Sequence, residues 1–239
     1  MNQDMKMKNY LSFGGGVNSV AMMLLLIDEG VEFEAVYVWM PDWPETHEYL
    51  MMLESKGYPI TVIFPSETCK GEKVSNLYEY AWKLKMFPRR MMRWCTAKFK
   101  VKPLHAYFQK PCFVMLGIDA DESHRARLAT DSGVENRWPL IERGITRQGC
   151  IEIIKAHRLP IPHRSGCFIC PFQRVAQVKE MRRKHPDMFC KLVALEERNI
   201  KELKKGPYYS LGKPFREIVN EPDSFLFEEL AYPPCQCGL

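Results

Sequence analysis

Residues 9–30, NYLSFGGGVNSVAMMLLLIDEG, decide the fold. A short apolar segment from Asn9 to Ser12 runs into Gly14, Gly15 and Gly16, and an apolar stretch of helical character follows from Val20 to Ile27. This reads as strand, glycine loop, helix. Asn18 or Ser19 is placed to accept from the first amides of that helix, and Gly30 suits the left-handed position after its end. Consecutive glycines between a strand and a helix N-terminus let the backbone approach an anion closely, although the same triplet also serves as a tight turn. The loop lacks the lysine and spacing of a Walker A motif and the spacing of a dinucleotide fingerprint.

Working outward, residues 33–40 (FEAVYVWM) form a nearly continuous apolar run of strand length, as expected for a parallel strand covered on both faces. PDWPETHEYLMMLESKG then opens a helix in which Asp42 and Glu45 have capping-box spacing and Pro44 lies near the start. Further strands are predicted at residues 60–64 and 113–118, with a broken helical region over residues 73–110 between them. Strands alternating with helices predict an α/β, Rossmann-like fold with a doubly wound parallel sheet. A short helix near residues 151–157 leads through Pro160 and Pro162 to a cysteine-rich turn, and beyond Arg174 the chain is helical and charged, then irregular. Two units are expected: residues 1–175, a nucleotide-binding domain that includes the cysteine turn, and residues 176–239, a helical extension with a cysteine tail.

Composition excludes disorder, since 46% of the 239 residues are hydrophobic and 26% charged. The longest apolar run, Ala21 to Ile27, is far short of a membrane span, and the first residues carry no apolar signal block, so a cytoplasmic protein with no membrane partner is expected. Nine cysteines cannot all pair with one another, and short spacings in such a chain point to metal binding or redox chemistry. The net charge of +5 is uneven: residues 83–102 hold Lys83, Lys85, Arg89, Arg90, Arg93, Lys98, Lys100 and Lys102 and no acid. That segment is either a solvated basic face or a surface for an anionic partner.

The loop from Ser12 to Ser19 resembles the pyrophosphate loop of ATP pyrophosphatases, Ser-Gly-Gly-x-Asp-Ser. MPDWPET (40–46), GIDADES (117–123), and Cys95-Thr96 followed by Lys100 and Pro103 are similar, in order, to motifs of the phosphoadenosine phosphosulfate (PAPS) reductase family. The resemblance implies an adenine-nucleotide α-hydrolase-like fold that binds ATP and cleaves it between the α- and β-phosphates. It places Ser12, Gly14, Gly15, Gly16, Asn18 and Ser19 at the pyrophosphate portion and Asp42 on the nucleoside side. Gly117, Asp121, Glu122 and Arg125 form the far wall; Asp121 and Arg125 are the catalytic candidates, and Asp121 and Glu122 suit Mg²⁺. The chain departs from the family pattern at Gly14, Val17 and Asn18, which stand where Ser, Lys and Asp are common, and at Asp119, which replaces an arginine of sulfonucleotide reductases and disfavours their substrate.

Cys167-Phe168-Ile169-Cys170-Pro171 is a Cys-x-x-Cys turn able to place two thiolates on one metal. It also resembles the second cysteine pair of iron–sulfur sulfonucleotide reductases, whose first pair is represented here by Cys95. Cys95, Cys167 and Cys170 would leave one position open, as in iron–sulfur tRNA-thiolating relatives; Cys150 is the best fourth ligand and would close the site. A [4Fe-4S] cluster and zinc both satisfy such ligands. Cys69, Cys112 and Cys190 are assigned to packing, as are Trp94 and Phe99, with stacking on bases the alternative for the two aromatics. His163 and Arg164 could assist a phosphate. The tail Cys237-Gly238-Leu239 resembles that of PAPS reductases, in which the cysteine is the nucleophile.

The expected function is adenylation of an oxygen, on a nucleic-acid base of tRNA or DNA held by residues 83–102, for replacement by sulfur at the cluster. A sulfur donor or reductant protein is then required, and oligomeric state is left open. The alternatives are a sulfonucleotide reductase acting through Cys237 and a zinc-stabilised binding module.

Overall fold

The computed structural model describes residues 7–129, 131–203 and 212–222. Its centre is a five-stranded parallel sheet of β1 (Lys8–Phe13), β2 (Glu34–Val38), β3 (Ile60–Ile63), β6 (Cys112–Leu116) and β7 (Val134–Arg137), in the order β3-β2-β1-β6-β7. Strand alternation divides the core. Leu11 and Phe13 point into a cluster with α1 (Val17–Asp28), α2 (Pro44–Ser55) and α7 (Arg147–Ala156), whereas Tyr10, Val36 and Val114 face Leu104 of α5 (Lys102–Tyr107) and Phe108 on the other side. Helices on both faces of a parallel sheet make the chain α/β and Rossmann-like.

A third apolar cluster lies beside the sheet. Met40, Trp43, Phe99 and Phe168 pack with α3 (Leu77–Leu84) and with the C-terminal helices α8 (Val175–Lys184), α9 (Pro186–Leu203) and α10 (Phe215–Ile218). Residues on both sides of position 175 therefore share one core. Between β3 and α3 a short antiparallel hairpin, β4 (Glu67–Cys69) with β5 (Glu72–Val74), turns at Lys70 and Gly71, both at positive φ. Two remaining short helices are α4 (Trp94–Thr96) and α6 (Pro139–Glu142).

Two expected caps do not form. Gly16 is the N-cap of α1, with Asn18 and Ser19 inside the first turn, and no side chain caps this end. Trp43 rather than Asp42 precedes α2, because Pro44 occupies its first position and the Asp42 carboxylate is drawn back to Tyr37. Gly30 does take the left-handed position after α1, at φ +65°.

In α9 the carboxylate of Glu196 is buried, and its Oε2 accepts from the Phe215 amide at 2.9 Å while Oε1 has no partner. Burial raises this carboxyl from 4.5 to about 7. A raised carboxyl favours the fold below its unfolded value, and that contribution is lost as pH rises through about 7. Unfolding stability is therefore expected to fall by about 2–3 kcal/mol between about pH 5 and pH 8. Glu196→Gln should flatten that dependence in denaturant titrations and raise stability at the alkaline end.

Candidate functional site

The strand order reverses at β1, and a cleft of about 1050 Å³ opens there at the carboxyl ends of β1, β2 and β6. Its wall contains Ser12, Gly14, Gly16, Asn18, Ser19, Asp42, Gly117 and Arg125, which lie far apart in sequence. Gly15 is part of the same turn, at φ +69° and close under Thr46. The turn is built for close approach. A Cβ on Gly16 would sit 2.6 Å from Ser165 Oγ, and one on Gly117 would sit 3.0 Å from the Ser19 backbone nitrogen. The end of β6 thus meets the first turn of α1 backbone to backbone, and the Ser165 side chain closes on Gly16.

The electrostatics of the cleft are cationic. Among the described lining residues Lys100, Arg125, Arg147 and Arg164 are basic and Asp42 is the single carboxylate. The α1 N-terminus adds partial positive charge with no acid in its first turn. Asp42 is buried; its Oδ2 accepts from the Tyr37 hydroxyl at 2.5 Å, and Oδ1 has no partner. Burial and the adjacent carboxylate raise the Tyr37 phenol, which stays protonated as donor. Asp42 also pairs through its backbone with Cys167 as an isolated antiparallel bridge, and the Phe168 amide donates to Pro41 O at 3.0 Å.

Asp121 and Glu122 are placed differently from expectation. Asp121 Oδ2 accepts from the Arg147 amide at 3.0 Å, and Glu122 forms an ion pair with Arg125 at 2.5 Å. Neither carboxylate is on the cleft wall, because the 3-10 turn Ala120–Arg125 directs them to α7 and to Arg125. Asp119, buried, caps that turn and accepts from Asn18 Nδ2 at 2.8 Å. It is off the wall as well.

A second, smaller cavity of about 360 Å³ is lined by Cys95, Cys167 and Cys170 with Arg93, Thr96 and Lys100. Lys100 borders both cavities. It lies on a π-helical turn, Ala97–Val101, of a type that recurs at functional sites. The Cys167 thiol donates to Cys170, which raises Cys167 and lowers Cys170, while Lys100 and Arg164 favour a thiolate at Cys170. Burial raises Cys95. The donor chemistry suits a soft metal. Among the described residues, however, no three His, Cys, Asp or Glu side chains stand together as a metal-holding group.

Cys150 is not brought to these thiols. It is buried under α1 beside Ile154, where burial raises its thiol to about 12. Cys69 and Cys112 are buried as expected, but Cys190 is exposed on α9. Trp94 and Phe99 pack against Tyr80. His163 pairs with Glu180 at 3.8 Å, whereas Arg164 reaches the cleft. Cys237 lies outside the described residues.

The basic segment is tied down rather than bare. Lys83 pairs with Glu72, Lys85 with Glu202, and both Lys98 and Lys102 with Glu67. Arg90 and Arg93 lie over the Phe172 ring. Sequence reasoning missed Arg147, Tyr37 and Ser165, which reach the cleft only through the fold; the one available signal was the basic residue directly after Thr146, the N-cap of α7. Among the described residues no helix is long and apolar enough to cross a membrane. No family model matches the chain, and no curated protein matches it.

Proposed function

We propose that this chain is an adenine-nucleotide α-hydrolase-like ATP pyrophosphatase of the PAPS reductase type, adenylating an oxygen on a nucleic-acid base for sulfur transfer. The observation that carries the reading is the convergence of the glycine loop, Asp42, Gly117 and four cations on one cleft at the sheet's switch point. The β- and γ-phosphates would lie on the loop and the α1 N-terminus, and the Asp42 Oδ1, buried and unpartnered, fits a ribose hydroxyl donor. The acceptor oxygen attacks the α-phosphorus, the bond to the bridging oxygen breaks, and pyrophosphate leaves with its developing charge facing Arg147, Arg125, Lys100 and Arg164. The engaged carboxylates of Asp121 and Glu122 do not fit a protein-held Mg²⁺ site; the cation would arrive on the nucleotide's own oxygens, and no step here depends on it.

Cys95, Cys167 and Cys170 are the residues that would hold an iron–sulfur cluster, or zinc in its place; the cluster, when bound, supplies sulfur-transfer or redox chemistry. Their placement across Lys100 from the cleft supports sulfur delivery to the adenylated base. The polymer would lie along residues 83–102, whose paired lysines remain partly exposed. A sulfur donor or reductant protein completes the cycle.

The test is pyrophosphate release from ATP by anaerobically purified protein, with and without RNA or single-stranded DNA. Release stimulated by nucleic acid is expected. No release from ATP, together with sulfite release from a sulfonucleotide, would overturn the reading in favour of a reductase.

A further inference from the structure

The loop carries valine at position 17 and asparagine at 18, so it contributes neither a cation nor an acid of its own. Arg147, at the start of α7, reaches the same place from 129 residues away, and one of its guanidinium nitrogens donates to Asn18 Oδ1 at 2.7 Å. Asn18 Nδ2 donates in turn to Asp119 Oδ2 at 2.8 Å. Because arginine only donates and a carboxylate only accepts, this is the one amide orientation that satisfies both neighbours. Asp119 is fixed further by the Glu122 amide, and the Arg147 backbone is fixed by Asp121.

We propose that Arg147 is the phosphate-binding cation of this cleft, and that Asn18, oriented by Asp119, is the positioning residue that aims it at the pyrophosphate end of the ligand. This rests on the nucleotide reading above. An asparagine is suited to the role because its neutral amide transmits orientation from Asp119 without transmitting charge. A carboxylate at the same place would pair with Arg147 directly and compete with the phosphate for it. It would also stand against Asp119 at hydrogen-bond distance, where two carboxylates share a proton. The charged and titratable groups facing this assembly are Asp119, Asp121, Glu122 and Cys150 around Arg147, together with Arg125 on the Glu122 carboxylate.

The experiment is calorimetric titration of the full chain with inorganic pyrophosphate and, separately, with adenosine. Arg147→Gln should weaken pyrophosphate roughly 10- to 100-fold, the worth of a charge-assisted hydrogen bond, and affect adenosine far less. Arg147→Lys, which keeps the charge and loses the fork, should fall between. Asn18→Asp should bind pyrophosphate about as poorly as Arg147→Gln near pH 8 and recover toward wild type as pH falls and the introduced carboxyl, crowded by Asp119, takes up a proton and donates to it. Arg143→Gln, which removes a surface pair with Glu29, is the unchanged control. Wild-type affinity for pyrophosphate in both Arg147 variants, or an Asn18→Asp deficit that does not respond to pH, overturns the proposal and leaves the nucleotide reading standing. A wild-type chain that binds neither ligand overturns both.

Discussion

Gly117→Ala is expected to cost nucleotide affinity roughly tenfold or more and to lower unfolding stability by about 1–3 kcal/mol. The added Cβ would lie 3.0 Å from the Ser19 nitrogen, 3.1 Å from Ser19 Cα and 3.2 Å from the Asn18 carbonyl carbon. All three are backbone atoms in the first turn of α1, so no side chain can swing aside. Relief comes only by moving the end of β6 away from α1, which widens the crevice proposed to hold the phosphates. Gly14→Ala is the matched comparison, since a Cβ there has no neighbour within 4 Å and should leave stability near wild type. Thermal melts of both variants, followed by titration with ATP, check the pair. Equal behaviour of the two would mean that the β6–α1 approach has no part in holding the ligand.

On the proposed cluster, Cys167→Ser is the second large effect expected: loss of nearly all iron and acid-labile sulfide that the wild-type chain carries after anaerobic purification. Disturbing a residue that merely orients a ligand costs roughly 10- to 100-fold in metal affinity, and removing one of the three proposed thiolate ligands should exceed that. Cys150→Ser is the internal reference, because that thiol sits in the α1–α7 core and does not line the cavity of Cys95, Cys167 and Cys170. Iron that survives Cys167→Ser but not Cys150→Ser would remove the Cys-x-x-Cys turn from the metal chemistry.

Strands β1, β2, β3 and β6 and helix α1 were legible because each is an apolar run with a glycine or proline near at least one end. The edge strand Val134–Arg137, VENR, was not: it lies at the margin of the sheet, is mostly polar, and owes its conformation to pairing with β6. The β4–β5 hairpin escaped for a similar reason, with strands of three residues each. Within the site, the glycine loop and Asp42 could be read locally, whereas the Asp42 cap could not. Its capping-box spacing was real, but a buried tyrosine hydroxyl offered the carboxylate a better partner than the helix start did. Arg147 was invisible for a geometric reason, since its meaning depends on how α7 crosses α1.

Asp42 and Cys167 face each other across a single backbone bridge, one residue wide, between the cationic cleft and the thiol cavity. Such a tie has a thermodynamic corollary that does not depend on which chemistry is performed. Whatever free energy an occupant of the thiols contributes to fixing the Asp42 loop, a ligand seated on Asp42 must return to the thiols in equal measure, because binding linkage is reciprocal. Any coupling that this bridge carries is therefore equal in both directions, and it needs no moving lid.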